Sequence, residues 1–209
     1  MSLPKGEIIR ESWKLTRKHL GFLCLAGAPS VLTVIAEIVI SAIGGHRNPH
    51  FHRKLVEWIS SPFTIVAQIG MIGVALRVVR GGTPNWSDFA APYKKLWRLF
   101  FIELATDVPF RITFFAFLLS PFIGFADFLA FDRNLSFLQA FKESVRWTMR
   151  EWWSVLILCL FMDVAGIAGF LFLGVGVFVS FPFVWIVQAK TYDALRLQIE
   201  TASDSVIAP

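Results

Sequence analysis

The chain alternates long apolar runs with short basic or turn-forming stretches. Leu20–Ile43, Val56–Val79, Trp152–Leu173 and Val177–Ala189 are the clearest runs. The first three have the length that a helix needs to cross a bilayer, about 20 residues. The fourth is shorter and contains Pro182, which predicts a kink. Gly44-Gly45 closes the first run, and His46–Lys54 reads as a polar loop before the second. Gly174-Val175-Gly176 turns the chain between the last two.

Ahead of two of the runs stand related basic segments. Glu11-Ser12-Trp13-Lys14-Leu15-Thr16-Arg17-Lys18 is answered by Glu143-Ser144-Val145-Arg146-Trp147-Thr148-Met149-Arg150. Glu, Ser and Thr coincide, and a cation recurs at the fourth and eighth places. Both segments predict amphipathic helices lying along a membrane surface. In the first, Ile9, Trp13, Thr16 and Leu20 share a face; in the second, Phe137, Phe141, Val145, Thr148 and Trp152 do. Ser136-x-x-Gln139 supplies a capping box for the second helix. After Arg80-Gly81-Gly82-Thr83-Pro84, Asn85 can cap a third amphipathic helix carrying Trp86, Phe89, Tyr93 and Trp97. Two halves follow, roughly 1–98 and 135–200, with a hairpin at 96–131 between them and a flexible tail at 201–209. The stretch Leu96–Phe131 is short for two crossings of about 20 residues each. Parity nevertheless requires it to leave and return to one face, as two short tilted helices or as a re-entrant hairpin.

Composition supports the membrane class. Apolar residues make up 56% of the 209 positions, with 22 Phe and 8 Trp; soluble domains average about 45–50% even with Gly counted. The net charge of +5 comes from cations gathered at the ends of apolar runs. Anionic headgroups and the positive-inside rule account for that placement, and nucleic acid does not. Most cations fall on one face, which assigns both termini to the cytoplasm. Cys24 and Cys159 lie inside apolar runs with no CxxC and read as free thiols. The fold class expected is all-α: a polytopic helical membrane protein of about six membrane segments, plus interfacial helices.

Four short patterns carry a resemblance: Ser12-Trp13-Lys14, Arg80-Gly81-Gly82-Thr83-Pro84, Leu135-Ser136-Phe137-Leu138-Gln139-Ala140-Phe141-Lys142-Glu143-Ser144 and Tyr192-Asp193-Ala194-Leu195. On these the chain resembles bacterial multi-pass membrane families of unknown function. Those families are related to the membrane domain fused to some glycerophosphoryl diester phosphodiesterases. The resemblance implies a six-helix bundle in the bacterial inner membrane. It supplies no assigned reaction, no catalytic residue and no cofactor, and the soluble phosphodiesterase domain is absent from this sequence.

Charges inside apolar runs are the candidate chemistry, because an ionised group at mid-membrane costs at least about 2.5–3.5 kcal/mol on insertion scales. Glu103, Asp107 and Arg111 are spaced by four and share a helical face; Asp163 stands alone in the middle of its run. Together they form a candidate polar intramembrane site, read either as a proton, anion or headgroup pathway or as ion pairs that join helices. Glu37 and Asp127 lie near run ends and are expected to reach the interface. Trp13, Lys14, Lys18, Lys94, Lys95, Arg98, Arg146 and Arg150 are candidate contacts for anionic lipid. His46, His50 and His52 lack the carboxylate or thiol company of a metal site and read as a solvated loop. No HExxH, GxSxG or Gly-rich phosphate loop is present. The leading expectation is a non-enzymatic membrane protein that binds or moves a small solute or lipid. A structural or assembly partner, as a homo-oligomer or beside another membrane protein, is the alternative. An intramembrane lipid enzyme ranks last, for want of a nucleophile and base.

Overall fold

A computed structural model describes residues 3–44, 49–97, 99–102, 122, 124–171 and 176–207. Among these the chain is all-helical and contains no strand. The order is α1 (Lys5–Lys18), α2 (Leu20–Gly44), α3 (Pro49–Val79), α4 (Trp86–Ala90), a 3₁₀ turn (Ala91–Lys95), α5 (Ala126–Asp132), α6 (Phe137–Arg150), α7 (Trp152–Leu171) and α8 (Val177–Ile207).

The repeated segments fold alike, residue for residue. α1 stops at Lys18 and α6 at Arg150; one turn residue, His19 or Glu151, joins each to the long helix that follows. His19 N–H donates to Thr16 O, as Glu151 N–H does to Thr148 O. Leu23 N–H then returns to His19 O, as Val155 N–H returns to Glu151 O. Ile8, Ser12 and Thr16 are buried in α1; Ala140, Ser144 and Thr148, at one constant offset along the chain, are buried in α6.

These buried faces differ from the expected apolar ones. Thr16 and Thr148 of the expected faces do point inward, joined by Ser12 and Ser144, while Trp13 and Phe141 of those faces are exposed, as are Leu138 and Met149. The physical reason is packing: small side chains let backbones approach closely, and the Thr16 and Ser144 hydroxyls find backbone carbonyls nearby, whereas Ser12 Oγ is buried without a partner. Thr16 Oγ1 donates to Ser12 O at 2.8 Å, and Ser144 Oγ donates to Phe122 O at 2.6 Å.

α3 starts at Pro49, so positions 49–54 are helical rather than looped. Proline at the first helical position already has the required φ and has no N–H to satisfy. Asn85 caps α4 as expected, accepting from Trp86 N–H at 2.6 Å, and Asp88 Oδ2 accepts from Asn85 N–H at 2.9 Å. Pro92 then tightens the helix into a 3₁₀ turn rather than letting it run on to Trp97. Gln139 closes the α6 capping box by accepting from Ser136 N–H at 3.2 Å. α8 carries Pro182 within it and continues through Ile207, so residues 201–207 are helical where a frayed tail was expected.

α2 and α3 form one hairpin and α7 and α8 another, with α8 also packed on α1, α2 and α3. The late turns of α3 are largely buried, with Ile69, Met71, Ile72, Val74, Ala75 and Val78 in the core and Arg77 exposed. Cys24 Sγ reaches Phe178 O at 3.0 Å, tying α2 to α8, and both cysteines are free thiols.

One helix among the described residues is long and apolar enough to cross a membrane, in the window Trp152–Gly169 of α7. Only 22% of that window is buried, unlike the core helix of a soluble protein. Ile157, Leu160, Val164, Ile167 and Leu171 are its exposed stripe. Leu20–Thr33 and Thr64–Val79 are shorter apolar stretches within α2 and α3, below the length of a full crossing. The described residues thus carry one span by this measure, not the six expected.

Candidate functional site

Of the four residues in the expected intramembrane site, Glu103, Asp107 and Arg111 lie outside the described residues, as does Arg98 among the lipid contacts. Asp163 is placed. It sits one turn after Cys159 on α7, on the flank of the exposed apolar stripe, partly buried with Oδ2 sealed from solvent and without a hydrogen-bond partner. Two turns on, Gly169 meets Ser180 of α8 so closely that a Cβ there would collide with the serine. Glu37 lies within α2, and His50 and His52 within α3, but their side chains are outside the described residues. Among the described residues no group of His, Cys, Asp and Glu is arranged to hold a metal.

The basic residues divide. Lys14 and Lys18 are exposed and, with Arg17, line a shallow depression of about 370 Å³ on α1. Lys94 and Arg150 are exposed, and Arg146 pairs with Glu143 at 2.8 Å while remaining open to solvent. Trp13 is half-exposed and meets Phe183 edge-on at 5.6 Å. Lys95 Nζ donates to Phe131 O at 2.7 Å and lies 5.4 Å from the Phe131 ring centre. It therefore fastens the end of α5.

The most completely built polar cluster was not foreseen as one. Asp132, last in α5, accepts a fork from Arg80: Nη1 to Oδ1 at 2.8 Å and Nη2 to Oδ2 at 2.7 Å. Tyr192 Oη donates to the same carboxylate at 2.9 Å, and Arg196 Nη1 at 3.2 Å. Arg80 Nε reaches Asp193 at 3.4 Å. Arg133 pairs with Glu200 at 2.8 Å, and Arg196 Nε with the same residue at 3.2 Å. Below the charges lies a stack of three rings from three helices. Trp147 and Phe128 flank Tyr192 at 5.6 and 5.5 Å, and Arg133 covers Trp147 at 5.0 Å.

Burial alone would raise the Asp132 carboxyl, but the hydrogen bonds from Arg80 and Tyr192 and the nearby guanidinium charges hold it below the ordinary range. Hydrogen bonding to Asp132, against the cost of burial, raises Arg80 further. Tyr192 is pushed up by burial and by the Asp132 charge. These groups stay ionised, or for Tyr192 protonated, around neutrality. Their chemistry is that of a fixed clamp, joining the end of α3 to α5 and α8, rather than of a proton carrier.

Asp127 is the exception in this layer. It was expected to reach the interface, yet it is 7% exposed and its Oδ1 lacks a hydrogen-bond partner. α5 has seven residues and runs beside α8, with Gly124 O accepting from Gln188 and Asp132 meeting Arg196. That puts Asp127 about level with Lys190, which pairs with Glu11 of α1. Burial raises the Asp127 carboxyl to about 8.

Arg80 and Tyr192-Asp193 stand in two of the short patterns that carry the family resemblance, which was the available signal for the clamp. Asp132 and Arg133 stand in none of them. Compared with known proteins, the chain matches no family model, no curated protein and no solved structure.

Proposed function

We propose that this chain is a multi-pass protein of the bacterial inner membrane, with both termini cytoplasmic, that binds or moves a small solute or lipid. Glu103, Asp107, Arg111 and Asp163 form its polar intramembrane site. The observation that carries this reading is Asp163: a carboxylate with one oxygen buried and unpartnered, on an apolar helix whose outer face is exposed. An ionisable group retained in such a helix serves a substrate, an ion or a partner charge, because its insertion penalty otherwise has no return. The exposed Trp13, Trp86, Trp97 and Trp153 and the terminal cations suit the two edges of a bilayer. The resemblance to multi-pass membrane families points the same way. A non-catalytic assembly partner is the second reading. It is favoured by the spacing of Ile157, Leu160, Val164, Ile167 and Leu171, a seam that a neighbouring helix could occupy.

A charge on the lipid-facing side tests the membrane reading. Val164→Lys changes an exposed residue, which in water would alter stability by less than about 0.5 kcal/mol. In a bilayer the same change costs about 2.5–3.5 kcal/mol at mid-span. The expected result is a marked loss of carbonate-resistant membrane insertion; wild-type insertion and stability in the variant would contradict the assignment of α7.

A further inference from the structure

At the end of α3, beside the clamp, a cavity of about 180 Å³ opens between α3 and α4. Its floor is apolar, formed by Gly73, Leu76, Ala91 and Phe131; its polar walls are Arg77, Arg80 and Asp88. Arg80 is already committed to Asp132 and Asp193. Arg77 and Asp88 are not committed to each other. They line the same cavity with no ion pair between them, and neither has an ion pair elsewhere among the described residues. Asp88 gives only Oδ2 to the helix cap, which leaves Oδ1 for a ligand.

Glycines build this arrangement. A Cβ at Gly73 would collide with the backbone carbonyl of Asp88, so the bare backbone lets α4 settle onto α3. A Cβ at Gly82 would collide with the Arg77 guanidinium, which lies folded beneath the loop that Gly81 turns at a φ of 81°. A cation and an anion thus line one cavity without an ion pair between them. Trp86 and Trp97, both exposed and close in sequence, suit the headgroup layer.

We propose that this cavity binds the headgroup of a lipid bearing both a phosphate and a primary ammonium, of the phosphoethanolamine type. The Arg77 guanidinium takes the phosphate and Asp88 Oδ1 takes the ammonium, with the glycerol end resting on Leu76 and Phe131. Arginine suits the phosphate because its planar fork matches two phosphate oxygens. A carboxylate accepts N–H donors, so a trimethylammonium headgroup, which has none, satisfies Asp88 poorly, and a phosphoglycerol headgroup offers it no cation. This inference rests on the membrane reading and adds to it a site and a lipid class.

The test is native mass spectrometry of the full chain in detergent, given equal amounts of phosphatidylethanolamine, phosphatidylglycerol and phosphatidylcholine. Phosphatidylethanolamine should be retained preferentially. Arg77→Gln should weaken its retention about tenfold, the scale of one charge-assisted contact, with Arg77→Lys recovering part of the loss. Asp88→Asn, which keeps an acceptor for the cap, should abolish the preference over phosphatidylcholine while leaving phosphatidylglycerol unchanged. Equal retention of the three lipids by the wild type, or an Arg77→Gln variant that retains phosphatidylethanolamine as tightly as the wild type, overturns the proposal. Displacement of the lipid by an equal concentration of free phosphoethanolamine overturns its lipid source. A protein that inserts normally but shows no preference defeats this inference alone, whereas failure to insert defeats the membrane reading with it.

Discussion

Asp132→Ala is expected to destabilise the protein by about 2–4 kcal/mol, somewhat below the loss of a fully buried ion pair. The reduction follows from exposure, 36% for Arg80 and 16% for Asp132, since water screens what remains. The substitution removes the acceptor of the Arg80 fork, of Tyr192 and of Arg196 together, and leaves two guanidinium groups facing each other. Tyr192→Phe, which deletes one donor and keeps the ring stack, should cost only about 1 kcal/mol. The pH profile provides a second readout. The folded-state carboxyl lies below its unfolded value, so its contribution is present above about pH 4 and lost as pH falls through the folded value. Asp132→Ala should flatten that acid limb. Unfolding in mixed micelles followed by helical circular dichroism measures both effects, and a variant as stable as wild type at pH 7 would show the cluster to be ornamental.

Asp127→Asn is expected to do the opposite. Here burial raises the folded-state carboxyl to about 8, so the folded protein favours the protonated acid. The stabilising contribution is present below the unfolded value of about 4 and is lost as pH rises toward about 8. Across that window wild-type stability should fall relative to the asparagine variant by up to about 1.4 kcal/mol per pH unit. The variant should therefore be the more stable protein at pH 8 and near parity at pH 4. Parallel stability curves would mean that Asp127 is ionised and paired, and would remove it as a titrating group.

The helices and the repeat were legible because both are local. Apolar run length, a Gly turn, an Asn cap and a capping box each act within a few residues, and the Glu-Ser-Thr register could be compared by eye. The facing of α1 and α6 was not legible in the same way. Ser12, Thr16, Ser144 and Thr148 face inward there beside Ile8, Ala140 and Trp147, while Trp13, Leu138 and Met149 face out, so an apolar-inward rule picks out only part of each face. The clamp was not legible as a unit for another reason. Asp132 meets Arg80, Tyr192 and Arg196 across separations of 52, 60 and 64 positions, and no spacing rule relates residues so far apart. Asp127 was misjudged because nearness to a loop in sequence says little about burial: Asp127 is buried beside the ring stack to which its neighbour Phe128 contributes.

Cysteine accessibility in membranes tests the central claim most directly. On a background lacking Cys24 and Cys159, single cysteines at positions 103, 107, 111 and 163 are compared with one at position 164, on the exposed stripe of α7. The account predicts that a small water-borne thiol reagent labels several of the first four and leaves position 164 unlabelled, the pattern of a hydrated polar site inside an apolar shell. Uniform protection of the four in a folded, inserted protein would contradict a solute or lipid site and leave the assembly reading. Labelling at position 164 as fast as in water would contradict the membrane placement of α7.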